Sequence, residues 1–491
     1  MTGKVCLVGA GPGDAGLLTL KGERALRSAQ VVVYDRLVGD GVLAMMPESA
    51  EKINVGKNSG SHPVPQERIN EILLEKALEG KYVVRLKGGD CFLFGRGGEE
   101  LEKLCENGVP FEVVPGVPSP VAATAYAGIP LTHRDFCASV HFITGHRREN
   151  GSLNLDYEAL VRLRGTLVFM MSVATCGEIA RGLAAAGMPE DTDCAIIENG
   201  TRPCQRKFVT TLSGLEETAE KNKVISPSLI VVGEVCSLSD KFDWFTKAPL
   251  FGRRILVTAP EASAARLMEK LSALGADAAA APAIKTVPLE FAVPELAGRA
   301  VVFTSAFGVK TCLEKLFSAG RDARAFGGAR IAAIGAGTAA ALRGYGLAAD
   351  LVPEKYDAET LAKEMLEKGL VRPGDTAVLL RARAGTPSLP EKLREAGIVC
   401  EDVPVYDTIP VPYEGGSPDS YDFVTFTSES AVLSFRRSCE LAGYGGLGRV
   451  RALCIGPQTA KAARDAGMDA VMSKEATLDS MAEYLKEEYK K

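Results

Sequence analysis

The sequence contains few of the residues that build most catalytic and metal sites. Only four of its 491 residues are histidines, and all four lie in the first third of the chain. Any chemistry in the second half must therefore work without imidazole. The twelve cysteines form no C-x-x-C pair, which excludes the common zinc-ribbon spacings and favours a reduced cytosolic chain. We expect no metal site.

Long apolar runs and a strong charge of either sign are also absent. No uncharged apolar run approaches the length that spans a bilayer, and the first residues enter a predicted strand directly, which leaves no room for a signal peptide. The net charge of −5 argues against a nucleic-acid partner. With 46% hydrophobic and 24% charged residues, the chain has the composition of a cytoplasmic globular protein, and its length predicts two to four domains.

A glycine-rich stretch, RLKGGDCFLFGRGGEE, follows the predicted strand at Tyr82 to Leu86. Five glycines lie within the eleven residues from Gly88 to Gly98. Glycine is costly to order, so this density predicts close backbone approach or positive φ. A surface turn is one interpretation. The glycine pair, the acid and the aromatics together favour a small-molecule site at the carboxyl end of a parallel strand.

An earlier glycine cluster, Gly9 to Asp14, follows the first predicted strand. With Asp35 at the end of the next strand, it suggests a dinucleotide-binding fold and a dinucleotide-dependent reductase. Pro12, however, lacks a backbone N–H that a pyrophosphate would need. Asp14 places a negative charge where the phosphate would sit. A ligand without phosphates is therefore favoured, in a mostly parallel sheet of alternating strands and helices.

Asp35 and Lys57 each follow a predicted strand. If both strands belong to one parallel sheet, the carboxylate and the ammonium can face a shared cleft as an acid–base pair. Two solvated charges at strand ends are the alternative interpretation.

The second half contains an internal duplication. Three markers recur at nearly constant spacing: Thr304-Ser305 and Thr427-Ser428 are 123 residues apart, the Gly335 and Thr338 pair recurs after 121 residues as Gly456 and Thr459, and Gly275 recurs after 122 as Gly397. This predicts two similar α/β units with a cleft between them. Hydroxyls and N–H groups at helix N-termini can form an anion site, or they can simply cap the helices.

The ordered motifs of the first half resemble the tetrapyrrole methylases, and among these uroporphyrinogen-III C-methyltransferase best. They are VGAGPGD, VVVYDRLV, VGK, RLKGGD-x-FLFGRGGEE, VVPG, AGIPLTHRD, TLVFMM, ENGTRPCQ and PSLIVVGEV, between about Val5 and Phe245. The resemblance implies a two-domain methylase over residues 1–246, with subdomains of about 1–117 and 118–246, and a homodimer.

The resemblance also implies roles for individual residues. Asp35 is then the proton acceptor and Lys57 the proton donor. Cationic side chains would hold the carboxylates of the substrate, namely Arg85, Arg134 and, less convincingly, Arg96, which can instead pair with Glu99 or Glu100. S-Adenosylmethionine, the methyl donor, would be held by Pro12, Gly88, Gly89, Asp90, Leu93, Pro118 and Ser119, with Met171 and Gly200 from the second subdomain.

Two positions depart from the pattern of the methylases. Cys91 stands where proline normally follows Gly-Gly-Asp, and Pro118 stands where threonine is usual. The first change loosens the turn and the second removes a hydroxyl and an N–H near the cofactor. We expect weakened or altered cofactor binding at most.

The second half resembles uroporphyrinogen-III synthase through VVFTSAFGV, VPVYDT, FTSESAV and IGPQTAKAA. The resemblance covers residues 252–491 and implies two interleaved α/β subdomains, about 252–288 with 410–491 and about 289–409. Such an enzyme closes hydroxymethylbilane into a macrocycle without a cofactor. Tyr406 would assist departure of the hydroxyl, unless it is an aromatic at the edge of the core, and the substrate would contact Thr304, Ser305, Thr427, Ser428 and Thr459.

Together these resemblances predict a bifunctional enzyme that acts on small tetrapyrroles. It would form uroporphyrinogen III and methylate it twice, giving precorrin-2 for sirohaem or cobalamin synthesis. One alternative is a methylase for another tetrapyrrole, with the synthase half as a binding scaffold. The dinucleotide-dependent reductase is a weaker alternative. We expect neither a nucleic-acid nor a membrane partner.

Overall fold

The computed structural model describes residues 2–47, 49–56, 64–145, 153, 155–259, 261–281, 284–410 and 412–490. Its strands form four five-stranded sheets, two in each half of the chain. Among the described residues, no helix is long and apolar enough to cross a membrane.

The first sheet is parallel throughout, with the strand order β3-β2-β4-β1-β5. The three central strands of this sheet are largely buried, as expected where helices cover both faces, whereas the edge strand Glu51–Asn54 is mostly exposed. Along β1, Val5 and Leu7 enter one core cluster while Cys6 and Val8 enter another. The elements are β1 (Lys4–Gly9), α1 (Leu20–Arg27), β2 (Val31–Tyr34), α2 (Asp40–Leu43), β3 (Glu51–Asn54), α3 (Gln66–Leu78), β4 (Tyr82–Lys87), α4 (Gly97–Glu106) and β5 (Phe111–Val114).

The second sheet is mixed, with the order β6-β7-β10-β8-β9. Only β6 and β7 pair in parallel, and the other three pairings are antiparallel. Its elements are α5 (Ser119–Tyr126), β6 (Val140–Thr144), α6 (Tyr157–Arg162), β7 (Thr166–Met170), α7 (Cys176–Ala185), β8 (Asp193–Glu198), β9 (Arg206–Thr211), α8 (Leu215–Lys221) and β10 (Ser228–Val232).

The two sheets of the second half have the orders β12-β11-β18-β19-β20 and β13-β17-β16-β14-β15. All their pairings are parallel except that of β13 with β17. The strands are β11 (Arg254–Val257), β12 (Asp277–Ala280), β13 (Ile284–Pro288), β14 (Ala300–Phe303), β15 (Arg330–Ala333), β16 (Thr376–Ala382), β17 (Val399–Pro410), β18 (Phe423–Phe426), β19 (Arg451–Cys454) and β20 (Asp469–Met472). The helices are α9 (Glu261–Ala273), α10 (Ala306–Ser318), α11 (Ala336–Gly344), α12 (Ala358–Glu367), α13 (Ser388–Glu395), α14 (Glu429–Leu441), α15 (Pro457–Asp465) and α16 (Leu478–Glu488).

The second half is interleaved. Strands β11 and β18 are neighbours in one sheet although they lie far apart in the chain. The residues between them include β13 to β17, which form the other sheet. The predicted fold class, an α/β first half followed by an interleaved α/β second half, is confirmed. The duplicated markers also correspond in structure: α10 and α14 each have 13 residues, and α11 and α15 each have nine.

A short segment joins the halves and is anchored on both sides. The Trp244 indole N–H donates to the Ala125 carbonyl at 3.0 Å, and the rings of Phe245 and Phe251 lie 5.3 Å apart. On the far side, the Leu250 N–H donates to the Leu274 carbonyl at 2.9 Å.

Candidate functional site

Three glycine-containing loops converge at the carboxyl edge of the first sheet. Gly11 and Gly89 exchange backbone hydrogen bonds of 3.1 and 2.8 Å, and Gly89 has a φ of +72°. A Cβ on Gly116 would lie 2.3 Å from the Gly89 carbonyl oxygen, and one on Gly9 would lie 2.4 Å from the Gly116 nitrogen. The loops after β1, β4 and β5 can therefore approach only because glycine occupies these positions.

The Asp90 carboxylate fixes the geometry of these loops. One oxygen accepts hydrogen bonds from the backbone N–H groups of Phe92 and Leu93 at 2.8 and 3.0 Å, and the other accepts from the Gly116 N–H at 3.1 Å. The carboxylate thus fixes the loops around the predicted ligand site, here called the pocket. Any contribution of the Asp90 side chain to cofactor binding passes through the backbone that it holds.

Asp35 lies beside this pocket, directly after β2. Its Oδ1 accepts from the N–H groups of Leu37 at 3.2 Å and Gly88 at 3.4 Å, and its Oδ2 lies 3.4 Å from Nη2 of Arg85. About a quarter of the side chain, 26%, is exposed. A carboxylate that is oriented by three donors and still reaches solvent can act as a base toward a ligand in the pocket.

Arg85, a predicted substrate ligand, is buried in the structure. Its side chain is only 4% exposed. The guanidinium donates to Glu100 at 3.1 Å, to the Leu86 carbonyl at 3.1 Å and to the Val33 carbonyl at 3.4 Å. Arginine occupies this strand position to satisfy buried acceptors and Asp35, so it cannot reach a substrate carboxylate without leaving the core.

The other cationic positions differ in their surroundings. Arg96 is exposed and forms a two-point pair with Glu99, one of the two partners that its helical spacing allowed. Arg134 is exposed on the chain between α5 and β6. Lys57, the predicted proton donor, lies outside the described residues.

The Gly200 segment after β8 packs on α5 within the second subdomain and also contacts the loop after β1. A Cβ on Gly200 would lie 2.3 Å from that of Ala123 in α5, the helix that begins at Ser119. The adjoining Thr201 has a φ of +70° and its hydroxyl accepts from the Asp14 N–H at 3.2 Å. This strained segment therefore packs on the loop that contains Pro12, as a ligand site between two subdomains requires.

Several of the predicted cofactor residues thus meet at one place. Gly88, Gly89, Asp90 and Leu93 lie on the loop after β4, and the Ser119 nitrogen is 3.6 Å from the position of a Cβ on Gly89. Pro118 immediately precedes α5, at the N-cap position before Ser119. Met171 follows β7, with a φ of +55° and half of its side chain exposed.

Asp14 has a role that its sequence position did not indicate. It caps a short turn by accepting from the Gly16 N–H at 2.7 Å and accepts the hydroxyl of Tyr126 at 2.6 Å. Burial and this hydrogen bond raise the pKa of Tyr126. Asp14 therefore joins the two subdomains rather than only repelling phosphate.

The sequence alone did not indicate that Lys87 and Glu100 form a buried ion pair at this site. Both are buried below the pocket, where Lys87 Nζ lies 2.6 Å from Glu100 Oε1. The only signal was a charged residue at alternate positions of an otherwise apolar strand, Arg85 and Lys87.

In the second half, the duplicated serines cap helices. Ser305 accepts from the Gly308 N–H at 3.0 Å and Ser428 from the Ala431 N–H at 3.1 Å. The equivalent positions before α11 and α15 are Gly335 and Gly456, which have no side chain to form such a bond.

The hydroxyl residues beside these caps differ in exposure. Thr304 and Thr427 are half-buried at the ends of β14 and β18, whereas Thr459 is only 5% exposed inside α15. Burial on this scale argues against substrate contact through the Thr459 hydroxyl.

Tyr406 lies on β17 and is 9% exposed. Its ring packs edge-on against Phe307, in the first turn of α10, with centroids 5.3 Å apart. The tyrosine is thus at the edge of the core and also next to the helix that Ser305 caps.

Comparison with known proteins assigns both halves. Residues 4–216 match the family of tetrapyrrole (corrin/porphyrin) methylases, and residues 265–483 match uroporphyrinogen-III synthase HemD. Porphyrin biosynthesis protein HemD of Ruminiclostridium josui is 45% identical over 498 residues, which is 99% of this chain and 98% of that protein. The chain belongs to this family. It is a tetrapyrrole methylase joined to a uroporphyrinogen-III synthase, and so an enzyme of tetrapyrrole biosynthesis, as the two resemblances predicted.

Other relatives cover the methylase half. The siroheme synthases of Yersinia pestis and Escherichia coli O1:K1 / APEC are 54% and 53% identical over 244 residues, half of this chain and 51% and 52% of those proteins. The chain therefore spans about half the length of these two relatives. A solved uroporphyrin-III C-methyl transferase of Thermus thermophilus, complexed with S-adenosyl homocysteine, is 42% identical, covers 48% of this chain and 100% of its own, and has a TM-score of 0.42.

Proposed function

We propose that this enzyme cyclises hydroxymethylbilane to uroporphyrinogen III in its second half and methylates that product twice in its first half, forming precorrin-2. The observation that carries the proposal is the union, in one chain, of a methylase and a synthase whose product is a tetrapyrrole. A fusion of this kind is useful when the methylase half consumes the product of the synthase half.

We infer S-adenosylmethionine as the methyl donor. The residues fit such a cofactor, because glycine at positions 9, 89 and 116 lets three loops come together as a cradle at the carboxyl edge of the sheet, and a Cβ on Gly9 or Gly116 would collide with the neighbouring backbone. The loop of Gly88, Gly89 and Leu93, the start of α5 and the Gly200 segment would hold it. When bound, it supplies a methyl group activated by a positively charged sulfur.

The residues of the chain then have two tasks in methyl transfer. The pocket aligns an electron-rich pyrrole carbon with the donor. Asp35 accepts the ring proton that is lost after transfer, and its three donors keep the carboxylate aimed at the pocket. The exposed Arg134 would attract the carboxylates of the macrocycle, and Lys57 is proposed as the proton donor.

In the synthase half, we propose that the bilane lies in a cleft between the two interleaved units, about 252–288 with 410–491 and about 289–409. Gly335 and Gly456 leave the N-termini of α11 and α15 without a side-chain cap, and the free backbone N–H groups there, which in α15 begin after Pro457, suit carboxylates. Thr304, Ser305, Thr427 and Ser428 flank them. Tyr406 would assist departure of the hydroxyl, next to α10.

We also place the enzyme in the cytoplasm, as a homodimer formed through the methylase half, residues 1–246. All twelve cysteines are unpaired thiols, which suits a reducing compartment.

The proposal is tested with uroporphyrinogen III, S-adenosylmethionine labelled in its methyl group, and an Asp35→Asn variant. We expect two labels per tetrapyrrole from the wild type, and methylation reduced by about two orders of magnitude in the variant, the usual scale for loss of a catalytic base. Formation of uroporphyrinogen III from hydroxymethylbilane should be unchanged. Equal loss of both activities would indicate misfolding of the variant.

Two outcomes would favour other functions. Tight binding of nicotinamide dinucleotides in place of S-adenosylhomocysteine would indicate a reductase. Release of the type I isomer, the product of unassisted closure, would make the second half a binding scaffold.

A further inference from the structure

A cluster of charged side chains lies directly beneath Asp35. It consists of Arg85 and Lys87 on β4 and Glu100 on α4, with side-chain exposures of 4%, 6% and 0%. We call these three residues the buried charge cluster. Asp35 forms its upper edge, since its carboxylate lies 3.4 Å from Arg85 Nη2.

One carboxylate oxygen organises the buried charge cluster. Glu100 Oε1 accepts from Lys87 Nζ at 2.6 Å and Arg85 Nε at 3.1 Å, and from Gln66 Nε2 at 3.3 Å. Its other oxygen, Oε2, is buried and has no hydrogen-bond partner among the described residues. With Asp35, the group contains two cations and two carboxylates, so its formal charges balance.

Such an arrangement is expensive if it serves stability alone. Removing charges from water costs several kcal/mol per ion, and well-packed apolar residues of similar volume are often at least as stabilising. The cost is visible in Lys87, whose pKa is lowered by burial and, secondarily, by the charge of Arg85. The neighbouring positions on β4, Val83 and Val84, show that the same strand accepts apolar residues in the core.

The geometry connects Glu100 to Asp35 through a single guanidinium. Arg85 Nε is held by Glu100, and this contact directs Nη2 of the same rigid, planar group toward Asp35. Lys87 occupies the same Glu100 oxygen and so prevents Arg85 from turning fully toward it. If the carboxylate of Glu100 were lost, Asp35 would be the one carboxylate still paired with Arg85 among the described residues.

We propose that Glu100 and Lys87 are positioning residues for methyl transfer, which set the orientation of Asp35 through Arg85. This inference rests on the proposed methylation and adds to it residues that do not touch the substrate. Their effect is on the turnover step, because Asp35 acts as the base after the ligands are bound.

The test compares Glu100→Gln, Lys87→Met and the double variant with the wild type in methylation of uroporphyrinogen III. Each single variant leaves the buried charges unbalanced, so we expect kcat to fall roughly ten- to a hundredfold, the scale of a small misplacement in an active site. The KM for uroporphyrinogen III and the Kd for S-adenosylhomocysteine should stay within about twofold. The double variant restores the balance and should recover kcat to within about threefold of the wild type.

Two controls separate positioning from folding. Glu99→Gln changes the neighbouring glutamate, which is exposed and pairs only with Arg96 in the described residues, and should leave kcat unchanged. The Kd for S-adenosylhomocysteine reports whether the methylase half of each variant has folded, and uroporphyrinogen III synthesis reports the same for the second half.

A kcat for Glu100→Gln within twofold of the wild type would overturn the inference, and so would a double variant slower than either single variant. A wild-type chain that does not methylate uroporphyrinogen III would refute the proposed function, and this inference with it.

Discussion

Asp90 and Gly116 are joined by a hydrogen bond of 3.1 Å between a carboxylate oxygen and a backbone N–H, across the ends of β4 and β5. The other oxygen of Asp90 holds the backbone of its own loop. One side chain therefore determines the shape of the cofactor loop and its distance from the neighbouring loop.

Replacing Asp90 by alanine should weaken the methylase half as a whole. Three backbone N–H groups would lose a charged acceptor, and a hydrogen bond to a charged group contributes about 1.5–3 kcal/mol. We expect a lower melting temperature and at least tenfold weaker binding of S-adenosylhomocysteine, on the order of 1.4 kcal/mol, measured by calorimetry. Asp90→Asn keeps one acceptor oxygen, so its melting temperature and its affinity for S-adenosylhomocysteine should lie between those of the wild type and Asp90→Ala. Unchanged affinity in Asp90→Ala would show that these contacts do not shape the pocket.

Gly116→Ala should disrupt the cradle by steric overlap. Its Cβ would meet the Gly89 carbonyl oxygen at 2.3 Å, and backbone cannot move aside as a flexible side chain can. Overpacking of this kind costs about 1–3 kcal/mol. We therefore expect the variant to fold but to lose cofactor binding.

The matched control for Gly116→Ala is Gly98→Ala in α4. A Cβ at Gly98 meets nothing within 4 Å, and alanine in a helix is favoured over glycine by about 0.5–1 kcal/mol. Binding of S-adenosylhomocysteine measures both variants. Equal binding by the two variants would contradict the close approach of the loops.

Ser428→Ala should affect both stability and the bilane. Loss of an N-terminal cap costs about 0.5–2 kcal/mol, and we expect a higher KM for hydroxymethylbilane because the Ser428 hydroxyl flanks the uncapped N-terminus of α15 that is proposed to bind carboxylates. Thr19→Ala serves as the control, because Thr19 caps α1 in the methylase half through a comparable bond of 3.1 Å to Gly22. A KM that is equally unaffected by both changes would limit Ser428 to its capping role.

Cys91 should resist alkylation in the native enzyme. Burial, followed by the charge of Asp90, raises the pKa of its thiol to about 12, so at pH 8 only about one molecule in ten thousand carries the reactive thiolate. The exposed Cys105 provides the internal control. Mass spectrometry after iodoacetamide treatment should find Cys105 modified and Cys91 intact, and both modified once the chain is unfolded. Equal rates in the folded enzyme would contradict the buried position.

Local patterns in the sequence predicted the parts of the site that depend on local chemistry. Glycine density identified the loop after β4, and the position of Asp35 at a strand end identified the candidate base. The constant spacing of Thr304 and Thr427 identified the duplication. In each case the signal lies within a few residues, or repeats along the chain.

The other parts of the site depend on residues that are far apart in the sequence, and their contacts could not be predicted from local patterns. Nothing near Arg85 in the sequence shows that Glu100 will be buried against it, so a strand arginine was interpreted as a substrate ligand. The sequence shows only the charge of Asp14, because its partner Tyr126 is 112 residues away. These residues acquire their roles from neighbours that only the fold provides.

The most direct test of the account is an assay that starts from hydroxymethylbilane, with and without S-adenosylmethionine. Without it, the wild-type chain should accumulate uroporphyrinogen III, and with it the same chain should convert this product to a tetrapyrrole carrying two transferred methyl groups. Accumulation of the type I isomer, or of uroporphyrinogen III that stays unmethylated in the presence of S-adenosylmethionine, would contradict the proposal that both activities reside in one chain.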